Sequence, residues 1–258
     1  MHLRRFRFIL ALMLYSFPAM GMAYAAEESI TADRIIKKAD ELARGETSYS
    51  EITMRVTTKH WDRQMSLKSW TKGTEKAFIV ITAPARDAGT TFLKRGNQMW
   101  QYLPKIERKI KIPPSMMLQS WMNSDFTNDD LARADSMVTD YEHKIVGSEV
   151  IDDNEAWKIE SIPHEDAPVY WGKLVSLVQK SDFVLRRTEY YDQDMELTKV
   201  LSLDDVKTID GRHIATHYVM DNKSKPGNKT ILDFDKINFD VKVDEDTFSE
   251  GNLTRGGR

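Results

Sequence analysis

From Ser50 onward, short runs of residues alternate apolar with polar and are broken by Gly, Pro, Asp or Asn. A two-residue period sends alternate side chains to opposite faces of an extended chain, so these runs read as strands with one buried face. Over residues 50–59, Ile52, Met54 and Val56 share one parity, and Glu51, Thr53 and Arg55 take the other. Met65 and Leu67 continue the pattern, and further runs occupy 75–82, 90–94, 99–103 and 106–112. After an interruption they resume near 141–150, 156–162, 171–178, 183–191, 199–206, 213–221 and 230–239. Asp152-Asp153-Asn154 and Asp210-Gly211 supply the chemistry of tight hairpin turns.

Two stretches break the alternation. Residues 31–44 carry Ile35, Ile36, Ala39, Leu42 and Ala43 on one helical stripe, with Thr31 placed to cap the helix and Gly45 to end it. Pro113-Pro114 stops the strands, and 115–133 reads as helical pieces, with Thr127 or Ser124 as an N-cap ahead of Asn128-Asp129-Asp130-Leu131. The expected fold is therefore mainly β with some α. It is one large antiparallel sheet, lidded by an N-terminal helix and a short central helical insertion. A sheet of about ten or more strands curls, because each strand is rotated against its neighbour. So little helix cannot cover a whole concave face, so either the barrel closes or an apolar hollow remains.

The first 25 residues read as a secretory signal peptide. Arg4, Arg5 and Arg7 precede a short apolar run, 8–15, and Ala23-Tyr24-Ala25 is a small-x-small cleavage site. An uncleaved anchor is the alternative, but the apolar core is shorter than a bilayer requires. Residues 26–258 then form one domain, expected to be soluble in the periplasm, and a monomer.

Composition removes several classes of chemistry. There is no Cys, which excludes disulfide scaffolds, thiolate metal sites and a thiol nucleophile. A net charge of −3 gives no reason to expect nucleic acid as a partner. His213 and His217 share a strand face but sit about 13 Å apart at that spacing, too far for joint ligation. There is no Gly-x-Ser-x-Gly elbow to make Ser124-Asp125 catalytic. No metal, cofactor or catalytic residue is expected. The basic run Lys105, Arg108, Lys109 and Lys111 reads best as a solvated strand face.

What remains is apolar binding. Met is unbranched and repacks around varied ligands. Met54, Met65, Met99, Met116, Met117 and Met122 crowd the first half of the chain, though any one of them can equally be ordinary core. The expected cavity and lid residues are Ile52, Met54, Val56, Met65, Leu67, Met99, Trp100, Tyr102, Met116, Met117, Leu118, Trp121 and Phe126. The apolar segment 115–122 is expected to be the mobile lid.

Trp100-Gln101-Tyr102-Leu103-Pro104, the basic residues after it, and Ser124-Asp125-Phe126-Thr127 with Asp130 and Leu131 form a connected pattern. So does Val243-Asp244-Glu245-Asp246-Thr247-Phe248 near the end. This pattern resembles the bacterial outer-membrane lipoprotein-sorting proteins, relatives of the periplasmic carrier LolA. The resemblance implies an incomplete barrel with helices over an apolar cavity, and structural roles for Pro104, Ser124, Asp125, Phe126, Thr127 and Asp130. It implies cargo such as lipoprotein acyl chains or lipid, carried across the envelope. It also implies a possible partner, an inner-membrane transporter of the resistance-nodulation-division type, to which the chain would alternatively be a non-catalytic docking subunit. LolA has an early Arg-Pro pair that helps close its lid; here the region reads Trp70-Thr71-Lys72-Gly73, so that closing device does not carry over.

Overall fold

A computed structural model describes residues 30–133 and 136–256. The expected signal peptide lies outside the described residues. Helix α1 (Ala32–Arg44) comes first, and thirteen strands follow. The first six are β1 (Thr47–Thr57), β2 (Asp62–Lys72), β3 (Lys76–Ala83), β4 (Thr91–Arg95), β5 (Gln98–Leu103) and β6 (Arg108–Lys111). An insertion carries α2 (Asn128–Ala132) and α3 (Ser136–Thr139). Then come β7 (Tyr141–Ile151), β8 (Asn154–Pro163), β9 (Lys173–Gln179), β10 (Leu185–Tyr191), β11 (Leu197–Ile209), β12 (Arg212–Asn222) and β13 (Lys229–Phe239). Helix α4 (Glu250–Arg255) closes the chain. No helix among the described residues is long and apolar enough to cross a membrane.

All strands belong to one antiparallel sheet in the order β6-β5-β4-β3-β2-β1-β13-β12-β11-β10-β9-β8-β7. Strands consecutive in sequence lie side by side, except β6 and β7 at the two edges, and β1 meets β13 at the centre. Short hairpins dictate this meander. Asp152 and Asp153 (φ 48° and 61°) turn β7 into β8, and Asp210 and Gly211 (φ 49° and 76°) turn β11 into β12, the left-handed pairs that two-residue hairpins demand. Register shifts at Glu51/Ile52, Ser66/Leu67 and Ile145/Gly147 mark bulges, and bulges deepen the bend of a twisted sheet.

The strand order fixes the path of the insertion. β6 is one edge of the sheet and β7 is the other, and the chain must pass from one to the other. It does so across the concave side, packing Trp121, Met117, Met122, Leu131 and Ala132 against Ile52, Leu67 and Phe92 of that face. Helix α1 shares the same side: Ile35 and Ile36 pack on Ile159 and Val178, and Leu42 on Ile214, Ile237 and Phe239. The side-chain oxygen of Thr31 accepts the Arg34 amide N–H at 3.3 Å, which caps the helix as its sequence predicts. Gly45 ends it at φ +66°, where an added Cβ would lie 2.9 Å from Phe239 Cδ1.

The expected one-faced sheet is incomplete as a description. Part of the convex face is also buried. Phe78, Val80 and Leu93 point there and are covered by Phe248 and by Leu253 of α4. Lys109 of β6 pairs with Glu250 at 2.6 Å, which pins that helix.

Candidate functional site

Between the concave face and the insertion lies a cavity of about 410 Å³, within the size range of small-molecule sites. The sheet contributes Ile52, Leu67, Ile79, Leu174, Leu185, Leu201, Met220 and Leu232. The insertion contributes Trp121, Phe126, Leu131 and Met137, so it is a lid in position. Three phenols on the wall, Tyr141, Tyr190 and Tyr218, have their pKa raised by burial, Tyr218 to about 12. A wall that resists phenolate formation is a poorly hydrated one.

The lid is latched by the Ser-Asp-Phe-Thr segment. Ser124 Oγ donates to the Trp121 carbonyl at 2.7 Å and accepts the Phe126 amide at 3.2 Å, which tightens the turn. Asp125 Oδ1 accepts from Asn222 Nδ2 at 2.8 Å, at the end of β12. Asp125 Oδ2 accepts from Thr230 Oγ1 at 2.8 Å, at the start of β13. Lys199 Nζ reaches the Asp125 carbonyl at 2.6 Å. Phe126 points into the cavity from between these polar anchors. Thr127 caps α2 through a reciprocal pair: the Asp130 amide donates to Thr127 Oγ1, and the Thr127 amide donates to Asp130 Oδ2. Thr127, not Ser124, is therefore the N-cap. Beyond α2, Arg133 pairs with Asp129 and with the Pro168 carbonyl, which ties the lid to the loop before β9.

The expected cavity residues divide into four groups. Ile52, Leu67, Trp121 and Phe126 border the cavity. Met54, Val56, Met65 and Met99 lie on the same face but pack into solid core with Ile81 and Phe92, and Met54 has no exposed surface. Met117 packs from the lid onto that core, whereas Met116 and Leu118 face outward, Leu118 with 54% of its surface exposed. Trp100 and Tyr102 sit on the convex face against Phe78, Leu93 and Phe248. That corrects their placement, and the reason is parity: Met99 points inward, so Trp100 cannot. The cavity side of the insertion is thus built by Trp121, Phe126, Leu131 and Met137, and of the expected segment 115–122 Trp121 alone borders the cavity. Pro104 opens a turn after β5, with its ring 3.3 Å from where a Gly89 Cβ would stand. The residues that the sequence reading missed are the inward positions of β9–β13. Their alternation, as in Leu201 with Leu203 or Tyr218 with Met220, was the available signal.

Among the described residues, no group of three or more His, Cys, Asp or Glu could hold a metal ion. His213 and His217 are taken up by separate carboxylates, Asp182 at 2.9 Å and Asp233 at 2.6 Å.

A family model described as "Uncharacterized protein" matches residues 73–255. The chain belongs to this family. Among solved structures, it is similar to a DUF1329 family protein from Desulfovibrio piger, with 26% identity, TM-score 0.79, and coverage of 86% of this chain and 97% of that one. It is also similar to an outer membrane lipoprotein-sorting protein domain from Vibrio parahaemolyticus, with 22% identity, TM-score 0.76, and coverage of 87% and 98%. A LolA superfamily protein from Nitrosomonas europaea matches with 23% identity, TM-score 0.73, and coverage of 87% and 100%. The family member described here therefore has the LolA-like fold, a curved unclosed sheet with few helices. No curated protein matches the chain.

Proposed function

We propose that this family member is a non-enzymatic carrier that shelters the hydrocarbon tail of a lipoprotein or lipid as it moves through the periplasm. The observation that carries the reading is the half-open apolar cavity of about 410 Å³ between the concave sheet and a latched lid. Each buried CH₂ is worth about 0.8 kcal/mol, so a tail of about sixteen carbons resists water by roughly 13 kcal/mol. A carrier must offset much of that and still release the tail. A lid held by a few polar contacts over an apolar wall meets both demands. The likeness in fold to a lipoprotein-sorting domain and to a LolA superfamily protein supports the same reading. The basic, apolar and small-residue order of positions 1–25 supports export. A carrier needs a donor or acceptor, and the reading names an inner-membrane transporter of the resistance-nodulation-division type as that partner. Native mass spectrometry of protein purified from the periplasm tests the proposal. Copurified lipid or lipopeptide is expected; a protein that is always empty and takes up no lipid from vesicles contradicts it.

A further inference from the structure

The wall of the apolar cavity carries hydrogen-bonding groups that the fold itself does not use. Tyr141, Tyr190, Tyr218 and Trp121 all border it. Strand parity puts them there: Tyr190 shares the inward face of β10 with Thr188, and Tyr218 that of β12 with Met220. Buried phenol and indole groups normally find a partner. Tyr49 and Tyr191, outside the cavity, do so: Tyr49 donates to Glu51 at 2.7 Å and Tyr191 to Glu189 at 2.8 Å. Among the described residues, no group forms a hydrogen bond with the hydroxyl of Tyr141, Tyr190 or Tyr218. The Trp121 side chain is only 4% exposed, and its indole N–H is buried without an acceptor. Leaving such donors unmade works against a fold, so four of them around one cavity point to a ligand.

The chemistry of the wall narrows what that ligand is. An indole N–H can only donate, so the ligand must supply an acceptor. The charged groups on the border are already engaged. Asp130 takes the Thr127 amide, and Arg133 is shared among Asp129, Asp140 and the Pro168 carbonyl. Burial above all, with the Asp130 carboxylate adding to it, keeps the Tyr141 and Tyr190 phenols protonated, and Tyr190 also lies within electrostatic reach of Tyr141. The two hydroxyls therefore form one neutral donor site. An anionic head placed there would meet the same carboxylate; a carbonyl oxygen, with two lone pairs and no charge, would not. We propose that the cargo is an acyl ester of glycerol, its hydrocarbon in the cavity and its carbonyl oxygen held by the hydroxyls of Tyr141 and Tyr190. This rests on the carrier reading and specifies the functional group that the cavity recognises.

The test is displacement of the neutral dye N-phenyl-naphthylamine from the purified protein. The competitors are 1-palmitoylglycerol and 1-O-hexadecylglycerol, which differ only in the ester carbonyl. The ester should displace the dye at a concentration about two- to tenfold below the ether, the worth of one net hydrogen bond. Tyr190→Phe and Tyr141→Phe should each erase most of that preference, whereas Tyr49→Phe should keep it. Tyr190 is only half-buried, so its variant stays informative if the change at Tyr141 impairs folding. The infrared carbonyl band of the bound ester should also move to higher wavenumber in Tyr190→Phe, which lost packing alone would not cause. A synthetic S-diacylglyceryl-cysteine peptide separates two sources of the same group, an acylated protein and a free glyceride. Either compound displacing the dye better than the ether supports the assignment, and the stronger of the two names the source. Equal displacement by ester and ether overturns it, as does a preference, or a carbonyl band, that is unchanged in the Tyr190 and Tyr141 variants. If neither ester nor ether binds, it is the carrier reading itself that falls.

Discussion

Asp125 in the lid and Thr230 at the start of β13 exchange two hydrogen bonds. The Asp125 amide donates to Thr230 Oγ1 at 2.9 Å, and that hydroxyl donates to Asp125 Oδ2 at 2.8 Å. The pair joins residues 105 positions apart and fastens the insertion to the centre of the sheet. Asp125→Ala removes the acceptor for both Thr230 and Asn222 and leaves buried donors unpaired, a cost of about 1–3 kcal/mol. Because the latch is local, hydrogen exchange should quicken across 119–131 while the strand amides of β1 and β2 stay protected. Uniform loss of protection would show that the segment belongs to the global core.

Leu232→Trp should fill the cavity instead of opening one. Leu232 is partly exposed and borders the void, so the larger ring has space that a packed core would deny it. The variant is expected to keep its melting temperature within a few degrees and to lose most of its affinity for a fluorescent fatty acid. Met54→Ala is the converse. Met54 is sealed in solid core, so the change should cost about 2–5 kcal/mol and leave the affinity of the folded protein nearly unaltered. Denaturant melts paired with binding isotherms separate the two effects.

These two positions show what the sequence made legible. Every expected strand is present, because alternation reports directly on a face exposed to water. Alternation cannot tell a residue that lines a void from one that fills a core, so Met54 and Ile52 looked alike. It does forbid neighbours from sharing a face, and placing Met99 and Trp100 in one cavity broke that rule. The N-cap at Thr127 was visible because its partner, Asp130, is three residues away. The bonds of Asp125 to Asn222 and Thr230 were not, because no local pattern encodes contacts between distant segments. The convex cover by Phe248 and Leu253 was missed because a helix of six residues, α4, leaves almost no periodicity to read.

Gly45→Ala should destabilise the protein by more than about 1 kcal/mol. The backbone is in a left-handed region at φ +66°, and the new Cβ would press on Phe239 at 2.9 Å. A thermal melt checks this, and an unchanged melting temperature would mean that the end of α1 can shift away from β13.

Burial holds the Tyr218 pKa at about 12 against an ordinary value of 10.0. The folded state therefore keeps its proton more tightly than the unfolded chain. Stability from this group is complete below about pH 10 and is lost as pH rises towards 12. Tyr218→Phe should flatten that part of the stability profile, as followed by urea titrations at successive alkaline pH values. An identical alkaline slope in both proteins would place the loss elsewhere.

The central claim is that a hydrocarbon tail lodges between the concave sheet and the lid. Photo-crosslinking with a fatty acid that carries a diazirine on its chain, followed by peptide mapping, tests this most directly. The account predicts labels on Trp121, Phe126 and Leu232, competed away by unlabelled palmitate. Labels confined to the convex residues Trp100 and Tyr102, or no labelling that palmitate can compete, would contradict it.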